Sequence, residues 1–231
     1  MNEVKAKKFL GQHFLTDETI AQRIVESLSG RTTNLIEIDR ESVAWLHDHY
    51  PQLKVIEGDF LKLDLNTLFH DSFAVIGNFP YNISSQILFR VFECRNQAVE
   101  VVGMFQKEVA ERVAAGPGSK TYGILSVLLS AFYNIEFLFT VHEHVFNPPP
   151  KVKSAVIRLT RNDVTSLECD ESLFVKVVKA GFNQRRKTLR NALRSAALPI
   201  EAVDEVLLSK RAEQLSVAEF ITLTKAIQQL T

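Results

Sequence analysis

The sequence predicts an α/β fold, a largely parallel sheet wrapped by helices, followed by a small all-helical C-terminal domain. Three observations predict it. Short apolar runs alternate with amphipathic segments from Leu35 to Gln106, the pattern of strands joined by crossover helices. Polar side chains close those runs at Glu37, Asp59 and Asn78, and ligands of open parallel sheets bind at the strands' carboxyl ends. Beyond Arg161 strand patterning stops, and only helical periodicity remains.

Taken in order, residues 1–15 read as a basic, irregular lead-in. Thr16 or Asp17 can cap a helix through about Ser29, with Ile20, Ile24, Val25 and Leu28 on one face. Strands follow at 35–39, 54–59 and 73–79, with a helix over 41–49 between the first two. Next come a helix over 83–94, a strand over 99–106, and helices at 107–115 and 122–133 around the Gly116–Ser119 loop. Strands at 135–141 and 154–161 flank Pro148-Pro149-Pro150 and suit an antiparallel hairpin at the sheet edge. Residues 1–161 are thus expected to form the first domain. A polar linker over 162–172 leads to the second, 172–231.

One step of this pattern fails. A doubly wound sheet starts with a strand, a glycine-rich turn and a helix, and only then reaches the strand whose acid takes a ribose. Here the acid-bearing strand follows the first helix with only Gly30 to Asn34 between, whereas a βαβ unit needs about 30 residues. We therefore expect roughly 20–30 residues to be absent between Ser27 and Leu35.

The chain has 231 residues, 46% hydrophobic and 23% charged, the proportions of an ordinary globular protein. No apolar run approaches the roughly 20 residues of a membrane span, and no signal peptide is legible, so a cytoplasmic protein, free of membrane, is expected. Cys94 and Cys169 form no CxxC pair, and His142-Glu143-His144 lacks a third ligand at matching spacing, so no metal is expected. Net charge is zero, but its distribution is uneven. From Phe174 to Ser195 the chain carries Lys176, Lys179, Arg185, Arg186, Lys187, Arg190 and Arg194 without one acid. A one-signed run in a balanced protein is a candidate phosphate-binding face.

Asn78-Phe79-Pro80-Tyr81 stands where a strand ends and a helix begins. An adenine amine is a poor nucleophile because its lone pair is delocalised into the ring. The Asn78 side-chain oxygen and the Pro80 carbonyl can each accept a hydrogen bond from that amine. Positive charge grows on the nitrogen as it attacks a methyl group, so such acceptors favour the transition state over the ground state. Each is worth about 3 kcal/mol by analogy with an oxyanion-hole donor. Tyr81 offers a stacking face, worth about 1–3 kcal/mol per base. Phe146, beside the triple proline, is a candidate second wall of the base pocket. Glu37 suits ribose hydroxyls and Asp59 an adenine amine of a nucleotide-like cofactor.

These residues carry a resemblance. The chain resembles the ribosomal RNA adenine N6,N6-dimethyltransferase family, the small-subunit dimethyladenosine transferases. The matching stretches are Gly11-Gln12-His13-Phe14-Leu15, Ile36-Glu37-Ile38-Asp39, Gly58-Asp59 and Gly77-Asn78-Phe79-Pro80-Tyr81-Asn82. Further matches are Gln106-Lys107-Glu108-Val109, Tyr122-Gly123, Phe146 with Pro148-Pro149-Pro150-Lys151-Val152, and Phe182 with Gln184-Arg185-Arg186-Lys187-Thr188-Leu189-Arg190.

The resemblance implies a Rossmann-like class I methyltransferase sheet that uses S-adenosylmethionine. It further implies dimethylation of two adjacent adenosines near the 3′ end of small-subunit ribosomal RNA, in ribosome maturation. Cofactor contacts carry over onto His13, Leu15, Glu37, Asp59 and Asn78; the family usually has Asn where His13 stands. Catalysis falls to Asn78, Pro80, Tyr81 and Phe146, and RNA binding to Lys179, Arg185, Arg186, Lys187 and Arg190. A monomer is expected. An adenine-specific DNA methyltransferase and a non-catalytic ribosome assembly factor are the rival readings.

Overall fold

A computed structural model describes residues 4–29 and 34–230 of the chain. The first half contains β1 (Phe14–Leu15), α1 (Glu18–Glu26), β2 (Asn34–Glu37), α2 (Arg40–His49), β3 (Lys54–Glu57), α3 (Leu65–Leu68), β4 (Phe73–Asn78), α4 (Ser84–Glu93) and β5 (Ala98–Gln106). The second contains α5 (Lys107–Val113), α6 (Ile124–Ser130), β6 (Tyr133–Val141), β7 (Phe146–Asn147), β8 (Ser154–Arg161), α7 (Glu171–Asn183), α8 (Leu189–Ser195), α9 (Glu205–Ser209) and α10 (Val217–Gln228).

Aspartate starts many of these helices. Asp17, Asp39, Asp64, Asp170 and Asp204 each accept a backbone N–H from the first turn of α1, α2, α3, α7 and α9, satisfying donors that the helix itself leaves unpaired. Ser216 and Glu219 form a reciprocal capping box at α10. Helix α4 buries Ser84, Ile87, Leu88, Val91 and Phe92, the spacing of one helical face.

Strand order in the larger sheet is β4-β5-β8-β6. Strands β4 and β5 run parallel, with Val75 opposite Val101 and Asn78 opposite Met104. Strand β8 is antiparallel to β5, with Val156 opposite Met104. The last strand therefore lies inside the sheet, between β5 and β6, and β6 takes the edge. Val101, Val102, Met104 and Phe105 of β5 are all fully buried, each contributing about 1.5–3 kcal/mol of apolar burial. Two further pairs stand apart: β1 with β7, antiparallel, and β2 with β3, parallel. The segment expected to be absent between Ser27 and Leu35 falls partly on residues 30–33, outside the described residues.

Contacts divide the chain into two units, 1–110 with 136–160, and 111–135 with 161–231. The expected boundary at 161 therefore omits residues 111–135, which group with the C-terminal helices. The reason is α6. It buries Leu125, Val127, Leu128 and Leu129, and it packs against α7 and α10. The second unit's core continues through Phe174, Leu193, Leu215, Phe220 and Leu223.

Tyr122 sits in that core, 2% exposed, with its ring edge-on to Phe182. Its hydroxyl is buried without a hydrogen-bond partner among the described residues, and burial, reinforced by Glu219, pushes its pKa up to about 12. The fold thus favours the neutral phenol. That contribution is complete below the unfolded value near 10 and is lost as pH rises from there towards 12, roughly 2–3 kcal/mol in all. Tyr122→Phe is expected to unfold at higher urea at pH 7, by about 1 kcal/mol, and to lose less stability than the parent between pH 9 and 11. Equal alkaline losses in both proteins would refute this account.

Candidate active site

Strand β4 ends at Asn78, whose side chain is exposed. Its Nδ2 donates to the His13 carbonyl at 2.8 Å. That bond fixes the amide, because a carbonyl accepts only from the NH2 end, and it leaves Oδ1 as the acceptor end. No donor to Oδ1 is recorded among the described residues. His13 is itself held from two sides: its Nδ1 donates to the Pro148 carbonyl at 2.7 Å, and its ring stacks on Tyr81 with centroids 5.4 Å apart. Tyr81 shares a 2.5 Å hydrogen bond with Ser154 Oγ. Burial pushes its phenol pKa up, so it stays neutral.

The segment leading to His13 is zipped along another stretch of chain. Phe14 and Leu15 pair with Asn147 and Phe146, and both the N–H and the hydroxyl of Thr16 donate to Val145 O at 2.9 Å. Gly11 makes the preceding bend with φ of +67°, and a Cβ there would sit 2.5 Å from Asn82 Oδ1. Glycine alone suits both conditions.

Phe79 anchors the turn. Its ring stacks on Phe105 at 5.2 Å and lies against Gly77 and Gly103, where an added Cβ would come within 2.8 Å of it. Two glycines thus make room for the ring that seats Asn78 and Pro80.

Several expected roles change. The Pro80 carbonyl already accepts from Ile83 N–H at 3.2 Å and Ser84 Oγ at 3.3 Å, which fills both lone pairs. The preceding carbonyl, Phe79 O, has no donor among the described residues. Phe146 is 4% exposed, in a cluster with Ile24, Val102, Met104, Val141 and Val156. Its ring packs the core and is not a free wall for a base. Leu15 packs against the same cluster.

Glu37 Oε1 accepts from the N–H of Ile38 and of Asp39 at 2.9 and 2.8 Å. Asp59 Oδ1 accepts from Leu61 N–H at 3.0 Å. Each carboxylate is oriented by its own loop, and Asp59 Oδ2 also lies 3.7 Å from Lys62 Nζ. The neighbouring Asp39 is buried, and its role was not evident from sequence. Lys7 Nζ lies 2.5 Å from its Oδ1, and Gln12 Nε2 lies 3.4 Å from Oδ2. Burial alone raises the Asp39 pKa, but the bonds from Lys7, Glu41 N–H, Gln12 and Ser42 outweigh it and hold the carboxyl below its ordinary value. The ion pair is therefore intact at neutral pH.

The second unit carries the basic run. Lys176, Lys179, Arg186, Lys187 and Arg194 are exposed, and Lys176, Lys179 and Asn183 line a shallow groove. Arg185 differs. Its Nη2 donates to the carbonyls of Lys120 and Tyr122 at 2.8 and 3.0 Å and meets Glu213 at 3.2 Å. It ties the unit together and is not a free phosphate ligand. Arg190 is paired with Glu205.

With this geometry in view, comparison with known proteins is decisive. A family model described as Ribosomal RNA adenine dimethylase matches residues 27–229. The chain belongs to that family. It is 56% identical to the Ribosomal RNA small subunit methyltransferase A of Cytophaga hutchinsonii, over 98% of this chain and 99% of that one. It is 51% identical to the protein of the same name from Bacteroides thetaiotaomicron, over 99% and 96%. Among solved structures, a dimethyladenosine transferase from Plasmodium falciparum superposes with a TM-score of 0.75 at 24% identity, over 91% of this chain and 96% of that one. The 23S rRNA methyltransferase ErmE does so at 0.66 and 22% identity, over 92% and 99%. These two establish the fold, the Rossmann-like class I methyltransferase sheet. The adenine dimethylase family takes its methyl groups from S-adenosylmethionine and acts on ribosomal RNA. No helix among the described residues is long and apolar enough to cross a membrane.

Proposed function

We propose that this dimethylase transfers methyl groups from S-adenosylmethionine to the exocyclic amines of two adjacent adenosines near the 3′ end of small-subunit ribosomal RNA, during ribosome maturation. It acts as a monomer in the cytoplasm. The observation that carries the reading is the exposed Asn78 amide at the end of a parallel strand, its NH2 held by the His13 carbonyl so that its oxygen is left to accept. The Asn78 oxygen and the Phe79 carbonyl hold the two N–H groups of an adenine amine and favour its build-up of positive charge. Tyr81, fixed by Ser154 and His13, orients the base. Glu37 and Asp59 suit the ribose hydroxyls and adenine amine of the cofactor, whose sulfonium supplies the methyl group. The small-subunit preference follows the names of the 56% and 51% identical relatives. The test is methyl incorporation into small subunits, large subunits and duplex DNA. Labelling of small subunits alone is expected; labelling of duplex DNA overturns the reading.

The exposed cations of α7 and the turn before α8 are the proposed RNA contacts, within a helical RNA-binding region over 172–231. Arg186→Glu with Lys187→Glu is expected to weaken binding to small-subunit RNA by roughly 10-fold or more. The slope of affinity against salt is expected to fall by about two counterions. Unchanged salt dependence in a filter-binding assay removes these residues from the interface.

A further inference from the structure

We infer that the sheet of this chain lacks its central strand, together with the turn and helix that follow it, so that the cofactor is held at its nucleoside end only. This rests on the cofactor reading above and refines it.

The sheet topology shows the break. Among the described residues β2 pairs only with β3, while β4 closes one edge of the other sheet. A doubly wound sheet has strand order 3-2-1-4-5. Strands β3, β2, β4 and β5 fit places 3, 2, 4 and 5 of that order, both pairs being parallel, and place 1 is vacant. That strand precedes β2 in the chain, where α1 is followed almost at once by Asn34. The four residues outside the description there, 30–33, fall far short of a strand plus a helix.

Burial agrees. Parallel strands are ordinarily covered on both faces, yet no residue of β2 or β3 is buried, whereas β5 is buried almost throughout. Ile38 just beyond β2 and Val25 of α1 are 49% and 60% exposed.

The relatives agree as well. The C. hutchinsonii protein aligns over 255 positions spanning 98% of this chain, which has only 231 residues. At least 24 positions of that alignment (255 less 231) therefore have no residue here, the size of the vacant strand, turn and helix start. The family match begins at residue 27, beside the same point.

In this fold a glycine-bearing turn and the following helix N-terminus hold the anionic end of the ligand. Glu37, Asp59 and Asn78 address the nucleoside and the methyl-bearing region. Among the described residues of the first unit, nothing replaces that turn for the cofactor's amino-acid carboxylate.

The experiment is calorimetric titration of the full chain with S-adenosylmethionine. It is repeated on a variant carrying the relative's strand–turn–helix segment between residues 29 and 34. Affinity is expected to be at least about 100-fold weaker for the chain as it stands. Equal, micromolar binding by both overturns the inference. Hydrogen exchange on the unaltered chain gives an independent answer. The Ile36 and Ile76 amides, which point away from β3 and β5, are expected to exchange much faster than those of Val101 and Val102; protection as high as in β5 shows covered edges and also overturns it. An extended variant that binds cofactor tightly but methylates no ribosomal RNA sinks the proposed activity and leaves the missing strand standing.

Discussion

Asn78→Ala is expected to lower the methylation rate of small-subunit RNA by about 100- to 1,000-fold, leaving RNA affinity within about twofold. The magnitude is that of removing one preorganised hydrogen-bond partner of a developing charge. The separation of effects follows from location, since Asn78 belongs to the first unit and the proposed phosphate contacts to the second. Asn78→Asp retains an acceptor but loses the NH2 that donates to His13 O, so the carboxylate is no longer tethered. An intermediate rate is expected for it. If Asn78→Ala methylates normally in single-turnover kinetics, the amine-gripping role is wrong. A parallel collapse of RNA binding makes Asn78 a structural residue.

Gly103→Ala is the second large effect. The new Cβ would intrude on the Phe105 ring and come within 2.8 Å of Phe79. Overpacking of this kind costs about 1–3 kcal/mol, visible as a lower unfolding midpoint in urea. The displaced Phe79 also carries its own carbonyl and the adjoining Asn78 with it. A shift of order 1 Å at reacting groups costs about 100-fold in rate. The variant is expected to lose both stability and kcat, whereas Tyr122→Phe alters stability alone. Normal stability with a normal rate would mean that the turn does not depend on the ring's seat.

What the sequence revealed and what it hid divide along a physical line. The placement of Glu37 and Asn78 at strand ends, and of Asp59 just past one, was legible because each follows an apolar run, and a strand's carboxyl end is a local feature. The expectation of an absent segment came from a crossover rule that sets a minimum length. Phe146 and Arg185 were not, because their roles are set by partners distant in sequence: a cluster including Ile24 and Val102 for one, Lys120 and Tyr122 for the other. The short turn at Tyr81–Ile83 has no periodicity to announce it, yet it engages the Pro80 carbonyl. Strands of two residues, such as β1 and β7, are too short to leave a pattern. Residues 111–135 look like part of the alternating first half, and only the packing of α6 against α7 and α10 reveals their allegiance.

The tether on Asn78 has a consequence in time. The amide is turned by a carbonyl 65 residues earlier in the chain, and that residue is pinned by another 135 residues later. Contacts so distant form late, since closing long loops is slow. During refolding, helical signal should therefore recover before methylation competence does, and the interval between them measures how long the N-terminal strap takes to dock.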